Sequence, residues 1–131
     1  MAFSSEKNKR RLNSIIHPSL LKELARRTRQ AVKNNTLVVV DAALLIDWGW
    51  QNKVDYTILV HADEKVRVGR LKKTGYTETE SRLRIKSQIP FSAQKRFADY
   101  IVINNKSLDS LVMKVEKIIA KLASKGVDFD R

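Results

Sequence analysis

The sequence predicts an α/β domain in which helices cover a parallel sheet. The chain has 131 residues, which is the usual size of one domain. Its apolar, β-branched runs are continuous rather than alternating, and strands buried on both faces have this pattern. Helical patterns alternate with these runs, as expected for parallel strands joined by crossovers. With 43% hydrophobic residues, the chain can build a packed core.

Residues 1–35 are predicted to form two helices. Ser5 is placed to cap the first helix. The pair His17-Pro18 is predicted to end that helix, because the residue before a proline avoids the α conformation. Pro18 then suits the first turn of a second helix, which is predicted to end near Asn34.

Three strands are predicted after these helices. The first is the apolar run Thr36–Asp41, the second is Val54–Val60 and the third is Tyr100–Ile103. Asp47–Lys53, between the first two, is the most loop-like region. Because helical patterns follow the second and third strands, all three are predicted to share one parallel sheet.

Several helices are predicted around these strands. Asp63 is placed to cap a helix that ends near Gly75. The sequence Thr77–Glu80 fits a capping box and predicts a helix to about Gln88. Ser92 is predicted to cap a short turn. The last helix has the clearest pattern, with apolar residues at helical spacing from Leu108 to Leu122.

The charge is strongly basic and uneven. Lys and Arg number 26 against 14 Asp and Glu, so the net charge is +12. Residues 1–35 hold nine Lys or Arg and two acids, and residues 64–96 hold ten and three. The segment between these two blocks is mildly acidic. An anionic partner, either nucleic acid or a polyphosphate ligand, is one interpretation, and solvated helix faces are the other.

Composition also excludes several classes of protein. The chain has no cysteine, which excludes disulfides, zinc–thiolate sites and thiol nucleophiles. No apolar run approaches the roughly 20 residues of a membrane span, and residues 1–11 lack the apolar region of a secretory signal. We therefore expect a cytoplasmic α/β domain.

Candidate site residues follow the predicted strands, because ligands bind beyond the carboxyl ends of a parallel sheet. Asp41, His61, Asn104 and Asn105 fall at such positions. The run ending in Asp41 resembles a Walker B segment, whose acid can hold magnesium, although such an acid can also cap a helix or bond a loop.

Other candidates have simpler interpretations. His17 and His61 have no partner at metal-ligand spacing, so structural roles are favoured, as is packing for Trp48 and Trp50. The two basic helices in residues 64–96 could form a lid over a polyphosphate, because the arginine fork suits phosphate oxygens. No Gly-x-x-x-x-Gly-Lys-Ser/Thr loop is present in the sequence.

A series of motifs, taken in order, resembles the dephospho-CoA kinase family over about residues 3–122. The series runs through His17-Pro18, Asp41-Ala42-Ala43-Leu44-Leu45, Arg84-Ile85-Lys86-Ser87-Gln88, Ala98-Asp99-Tyr100 and Asn104. Members of that family are P-loop kinases that transfer the ATP γ-phosphate to the ribose 3′-hydroxyl of dephospho-CoA, the last step of coenzyme A biosynthesis. The resemblance implies a three-layer P-loop kinase-like parallel sheet, ATP and Mg²⁺ as cofactors, and dephospho-CoA as substrate.

The resemblance also implies roles for parts of the chain. Residues 3–35 would form the helical acceptor part and residues 64–96 the lid. The implied ATP and lid residues are Arg70, Arg84 and Gln88 near the phosphates and Asn104 beside the adenine. The implied borders of the acceptor site are His17, Asp41, Leu44 and Leu45.

Several family features have no counterpart in this sequence. The first βα unit with its phosphate-binding loop is missing, as is the Asp expected to activate the 3′-hydroxyl, so no catalytic residue is assigned. The usual Pro-Leu-Leu-Phe-Glu is Ala43–Asp47, and the family's Arg-Asp pair is reduced to Thr74. We expect residues 1–131 to be one incomplete domain, the carboxyl-terminal part of a longer enzyme, and inactive alone.

Loss of the central strand would leave apolar strand edges, which predicts re-pairing, a homo-oligomer or poor solubility. Two other functions stay open. A basic nucleic-acid-binding module would explain the net charge, although the sequence has no recognised reader motif. A non-catalytic regulatory subunit would explain the missing loop.

Overall fold

The computed structural model describes residues 6–129, and it divides the chain into two units. One unit is Met1–Asp41 with Val127–Arg131, and the other is Ala42–Gly126. The predicted cap at Ser5 lies outside the described residues. Among those residues, no helix is both long and apolar enough to span a bilayer.

The first unit is built on one long helix, α1 (Glu6–Asn34), which contains Pro18. The predicted break at His17-Pro18 is therefore wrong. Nucleating a second helix costs about 4 kcal/mol, whereas a proline inside a helix costs about 3 kcal/mol. Continuing through Pro18 is the cheaper solution. The hydroxyls of Ser14 and Ser19 donate to carbonyls one turn earlier, at 2.8 and 2.9 Å.

The segment after α1 does not form the strand predicted at Thr36–Asp41. It has no regular secondary structure, and the side chain of Val39 is 80% exposed. A β-branched run favours extended backbone, but a strand also needs a neighbour for its ladder of hydrogen bonds. Asp41 consequently does not stand at the end of a strand in this structure.

The second unit contains a parallel pair of strands, β1 (Ile58–His61) and β2 (Tyr100–Ile103). Ile58 pairs with Tyr100 and His61 with Ile103. The strands are connected through α2 (Glu64–Lys73), α3 (Glu78–Lys86), α4 (Phe91–Gln94) and a short 3₁₀ helix (Lys95–Phe97). The helix α5 (Leu108–Ala123) follows β2. The predicted parallel α/β class is confirmed, with two of the three expected strands formed.

The core of this unit lies where α5 packs on β2. Val102 of β2 is 1% exposed, and Ile118 and Leu122 of α5 are buried. The Ser107 hydroxyl begins α5 by accepting from the N–H of Ser110. Trp50, in a short 3₁₀ helix, is also buried, which confirms the packing interpretation for this residue.

The caps of α2 and α3 differ. The capping box is confirmed, because the Thr77 hydroxyl accepts from Glu80 N and the Glu80 carboxylate accepts from Thr77 N, at 3.2 and 2.9 Å. Asp63 precedes α2 as predicted, but its side chain makes no capping bond. Ser92 lies inside α4, whose N-cap residue is Pro90, so the prediction that Ser92 caps this turn is wrong.

Candidate anion-binding site

The carboxyl end of the parallel strands carries the candidate site. The Asn104 N–H donates to the carbonyl of His61 at 2.7 Å, which holds the loop after β2 beside the end of β1. The side-chain oxygen of Asn105 accepts from the N–H of Asp63 at 2.9 Å. This second bond ties the same loop to the start of α2. Asn104 and Asn105 therefore lie where the sequence predicted them, beyond a strand end.

Arg70 and Asn104 are brought together at this end. Nη2 of Arg70 donates to Oδ1 of Asn104 at 3.1 Å, although the residues are 34 positions apart in the chain. Arg70 extends from α2 and is exposed, whereas Asn104 is half-buried. The contact joins two residues that the family resemblance assigned to different parts of ATP, Arg70 to the phosphates and Asn104 to the adenine, and these roles stay predictions.

A second contact of the same kind involves Arg67, which the sequence analysis missed. Its guanidinium donates to the side-chain oxygen of Gln88, which follows α3. Arg67 precedes Arg70 by three residues, so both lie on neighbouring turns of one face of α2. That spacing was the available signal. Arg67–Gln88 and Arg70–Asn104 are called the two guanidinium–amide pairs below.

The chemistry of the partners distinguishes these arginines from Arg82. Arg82 binds Glu64 at 2.6 Å and Glu78 at 2.9 Å. Its hydrogen bond to Glu78 raises the pKa of Arg82 and lowers that of the carboxylate. In the part of the chain that the structure describes, Arg67 and Arg70 form no ion pair with a carboxylate. Their side-chain hydrogen bonds go to neutral amide oxygens instead.

Arg84, another predicted lid residue, lies on α3. Its guanidinium carbon stands 4.3 Å from the centre of the Tyr76 ring, which is cation–π geometry. The pKa of nearby Glu80 is lowered, chiefly by the backbone N–H of Thr77 and to a smaller extent by Arg84. The aromatic ring therefore positions Arg84 beside the loop that joins α2 to α3.

His61 is the last residue of β1, and its ring stacks on Phe91. The ring centres are 3.9 Å apart and the planes differ by 19°. Both residues are half-buried. The stack supports the structural role that the sequence analysis favoured for His61.

The residues expected to border the acceptor site fall in different units. Leu44 and Leu45 are half-buried in a run of turns, where their carbonyls accept from the N–H groups of Trp48 and Trp50 at 3.0 and 2.9 Å. His17, on α1, and Asp41 belong to the other unit. Their roles stay predictions.

The described residues do not by themselves form a multidentate metal site. Across residues 6–129, no three His, Asp or Glu side chains gather closely enough to hold an ion. Asp41 is exposed and offers one carboxylate. Its proposed contact with magnesium stays a prediction.

The parallel strands covered by helices, together with the similarity to a solved structure given next, place the chain in the class of P-loop kinase-like α/β folds. It resembles the crystal structure of TT1252 from Thermus thermophilus, with a TM-score of 0.70 and 25% identity. The similarity covers 92% of this chain and 63% of that one.

Sequence comparison is more specific. The profile of the dephospho-CoA kinase (CoaE) family matches residues 1–110, and the chain belongs to this family. It is 39% identical to the dephospho-CoA kinase of Corynebacterium glutamicum over 95% of its length. It is 30% identical to that of Aquifex aeolicus over 93%. The chain spans 63% and 62% of those two relatives.

Proposed function

We propose that this chain supplies the lid and the acceptor part of a dephospho-CoA kinase. That enzyme moves the γ-phosphate of ATP to the ribose 3′-hydroxyl of dephospho-CoA. The observation that carries the proposal is the Arg70–Asn104 pair at the carboxyl end of the sheet, in a chain of this family. Residues 64–96 form the lid, and residues 3–35 contribute to the acceptor site.

The chemistry of phosphoryl transfer explains why Arg70 is needed. Charge on the phosphate oxygens develops as the γ-phosphoryl group moves, and positioned guanidinium groups stabilise it. Arg70 binds these oxygens, and Asn104 orients the guanidinium through its side-chain oxygen. Gln88 and Arg84 complete the lid face. Mg²⁺, bound with ATP, neutralises part of the phosphate charge.

The acceptor is held by other residues. His17, Asp41, Leu44 and Leu45 border dephospho-CoA in this proposal. The half-buried leucines offer apolar surface, while His17 and Asp41 offer polar contacts. These residues bind and orient the ribose hydroxyl. None of them is assigned as the general base, because no residue of this chain matches the family's activating Asp.

In this proposal the phosphate-binding loop is supplied from outside these 131 residues, whose sequence contains no such motif. Backbone N–H groups of that loop normally cradle the triphosphate and align it with the acceptor. We propose that activity requires this loop together with the present chain.

Coenzyme A formation from dephospho-CoA and Mg-ATP tests the proposal. The chain is assayed alone and joined to the loop-bearing segment of the Corynebacterium glutamicum relative. The joined protein should form coenzyme A, and Arg70→Ala should lower its kcat/KM about 100-fold. Lys65→Ala, which removes an exposed charge from the same helix, should change it less than twofold.

Two results contradict the proposal. Product formation by the chain alone would refute the need for the loop. A joined protein with native-like circular dichroism but no activity would refute the function. Should the joined protein fail to fold, calorimetric titration of the chain with ADP decides, because a lid with no affinity for ADP at millimolar concentration contradicts the assignment.

A further inference from the structure

We propose that Arg67 is a second phosphate-binding residue, and that Arg67 and Arg70 together select two adjacent phosphoryl groups. The inference rests on the proposed function of this surface as a nucleotide site. It adds a residue that the family motifs in this sequence do not include. It also assigns a purpose to the neutral partners, Gln88 and Asn104.

Position supports the pairing. Arg67 and Arg70 are three residues apart on α2, and side chains at this spacing have Cβ atoms about 5–6 Å apart. Each guanidinium reaches a different element, because Gln88 follows α3 and Asn104 follows β2. The two guanidiniums therefore start from neighbouring positions on α2, and that of Arg70 lies beyond the end of the sheet, at Asn104. Adjacent phosphoryl groups can engage both, whereas a single phosphate engages one well.

The direction of the amides supports an anionic ligand. In both guanidinium–amide pairs the amide oxygen accepts from the arginine, so each amide NH₂ remains as a donor. The pairs thus offer an anion their amide NH₂ donors and two positive charges, while each amide oxygen already accepts from an arginine. A carboxylate at either amide position would neutralise its arginine and present negative oxygens to a phosphate.

A purely structural role explains Arg67 less well. The hairpin of α2 and α3 is already joined by Arg82, which binds Glu64 on α2 and Glu78 on α3. Lys72 of α2 adds a second link to Glu78, at 3.7 Å. A tie through Arg67 to hold the helices together would duplicate these ion pairs without explaining why its partner is neutral.

Calorimetric titration of the whole chain with tripolyphosphate and orthophosphate tests the inference. Arg67→Ala should weaken tripolyphosphate binding about tenfold, since the loss of one hydrogen bond to a charged group lowers an affinity by about that factor. Its effect on orthophosphate should stay below threefold. Lys65→Ala removes one positive charge from the same helix and should change both affinities less than twofold, which separates a specific contact from general attraction.

The variant Gln88→Glu separates binding from structure. It keeps the size of the side chain and its contact with Arg67, and it replaces the neutral partner by a carboxylate. Tripolyphosphate binding should weaken at least as much as in Arg67→Ala, with an unchanged or higher melting temperature. Normal tripolyphosphate binding by Gln88→Glu would overturn the inference, as would equal losses in Arg67→Ala and Lys65→Ala.

The inference and the proposed function fail separately. If Arg67→Ala weakens tripolyphosphate binding and the joined protein forms no coenzyme A, the two-phosphate site stands and the kinase assignment does not. If the joined protein forms coenzyme A, and Arg67→Ala changes neither tripolyphosphate affinity nor the KM for ATP, the assignment stands and Arg67 has no such role.

Discussion

The arginines of α1 and those of α2 have different partners. On α1, Arg26 and Arg27 both bind the carboxylate of Glu23, at 2.8 Å each. These hydrogen bonds lower the pKa of Glu23 to about 2. On α2, Arg67 and Arg70 bind the neutral amide oxygens of Gln88 and Asn104 instead.

The difference shows that basic residues alone do not locate an anion site. The segments containing α1 and α2 have the same net charge in the sequence, but the charge of Arg26 and Arg27 is partly compensated by Glu23. The guanidiniums of α2 have amide partners that leave their charge intact. Partner chemistry, rather than the density of Lys and Arg, distinguishes the candidate site from a solvated helix face.

The largest expected effect is on ADP binding, and it tests the difference between the arginines of α1 and those of α2. Arg70→Ala should weaken binding of ADP to the chain by roughly 10- to 100-fold, because a charged hydrogen-bond donor is lost. Arg27→Ala should change it less than twofold. Calorimetric titration of both variants measures the difference. Equal effects would show that ADP responds only to overall charge.

The next effect concerns the helix that presents Gln88. Thr77→Ala should lower the free energy of unfolding by about 1 kcal/mol, because the hydroxyl that caps α3 is removed. Thr77→Ser keeps the hydroxyl and should lose less than half as much. Urea denaturation measures both. A loss for Thr77→Ser as large as for Thr77→Ala would show that the cap is not responsible.

A smaller effect should appear when Arg82 is given neutral partners. The double variant Glu64→Gln and Glu78→Gln leaves Arg82 with amides, as Arg67 and Arg70 have. Tripolyphosphate affinity should rise about twofold, because exposed ion pairs have small energies. The affinity should also fall more steeply with salt. An unchanged salt dependence would mean that Arg82 is too far from the site to contribute.

The smallest effect concerns Glu23 and pH. Its pKa is lowered on folding, so its ionised form stabilises α1 above the ordinary value of 4.5, and this contribution is lost as pH falls towards 2. Glu23→Gln should lack this component. Far-ultraviolet circular dichroism between pH 5 and 2 compares the two chains. Superimposable titrations would show that the pair with Arg26 and Arg27 adds no stability.

Local sequence patterns predicted much of the fold. They failed where the secondary structure depended on interactions that the local pattern does not contain. The capping box at Thr77 and the helix after Ser107 depend on neighbours a few residues away, and both formed as predicted. Pro18 was expected to end a helix, but the cost of a new nucleus kept α1 continuous. The run Thr36–Asp41 has the composition of a strand, but it does not form one, because it has no neighbouring strand to hydrogen-bond with.

The candidate site was predicted as a set of residues rather than as an arrangement. Arg70, Gln88 and Asn104 came from motifs, but their contacts span 21 and 34 positions and no periodicity describes them. The spacing of Arg67 from Arg70 was the signal available for Arg67, but in a segment with ten Lys and Arg that spacing does not single out one residue. The neutral partner of Arg67 became visible only when α2, α3 and the loop after β2 were placed together.

Sequence by itself therefore determined the α/β class, the helices with strong amphipathic or capping patterns, and the kinds of side chain available for binding phosphate. Tertiary structure decided which strands pair and which arginines face an amide instead of a carboxylate. The physical reason is range: helix caps and periodicity act within about one or two turns. Strand ladders and side-chain partners join residues that are distant in the chain, and their energies depend on where the whole backbone goes.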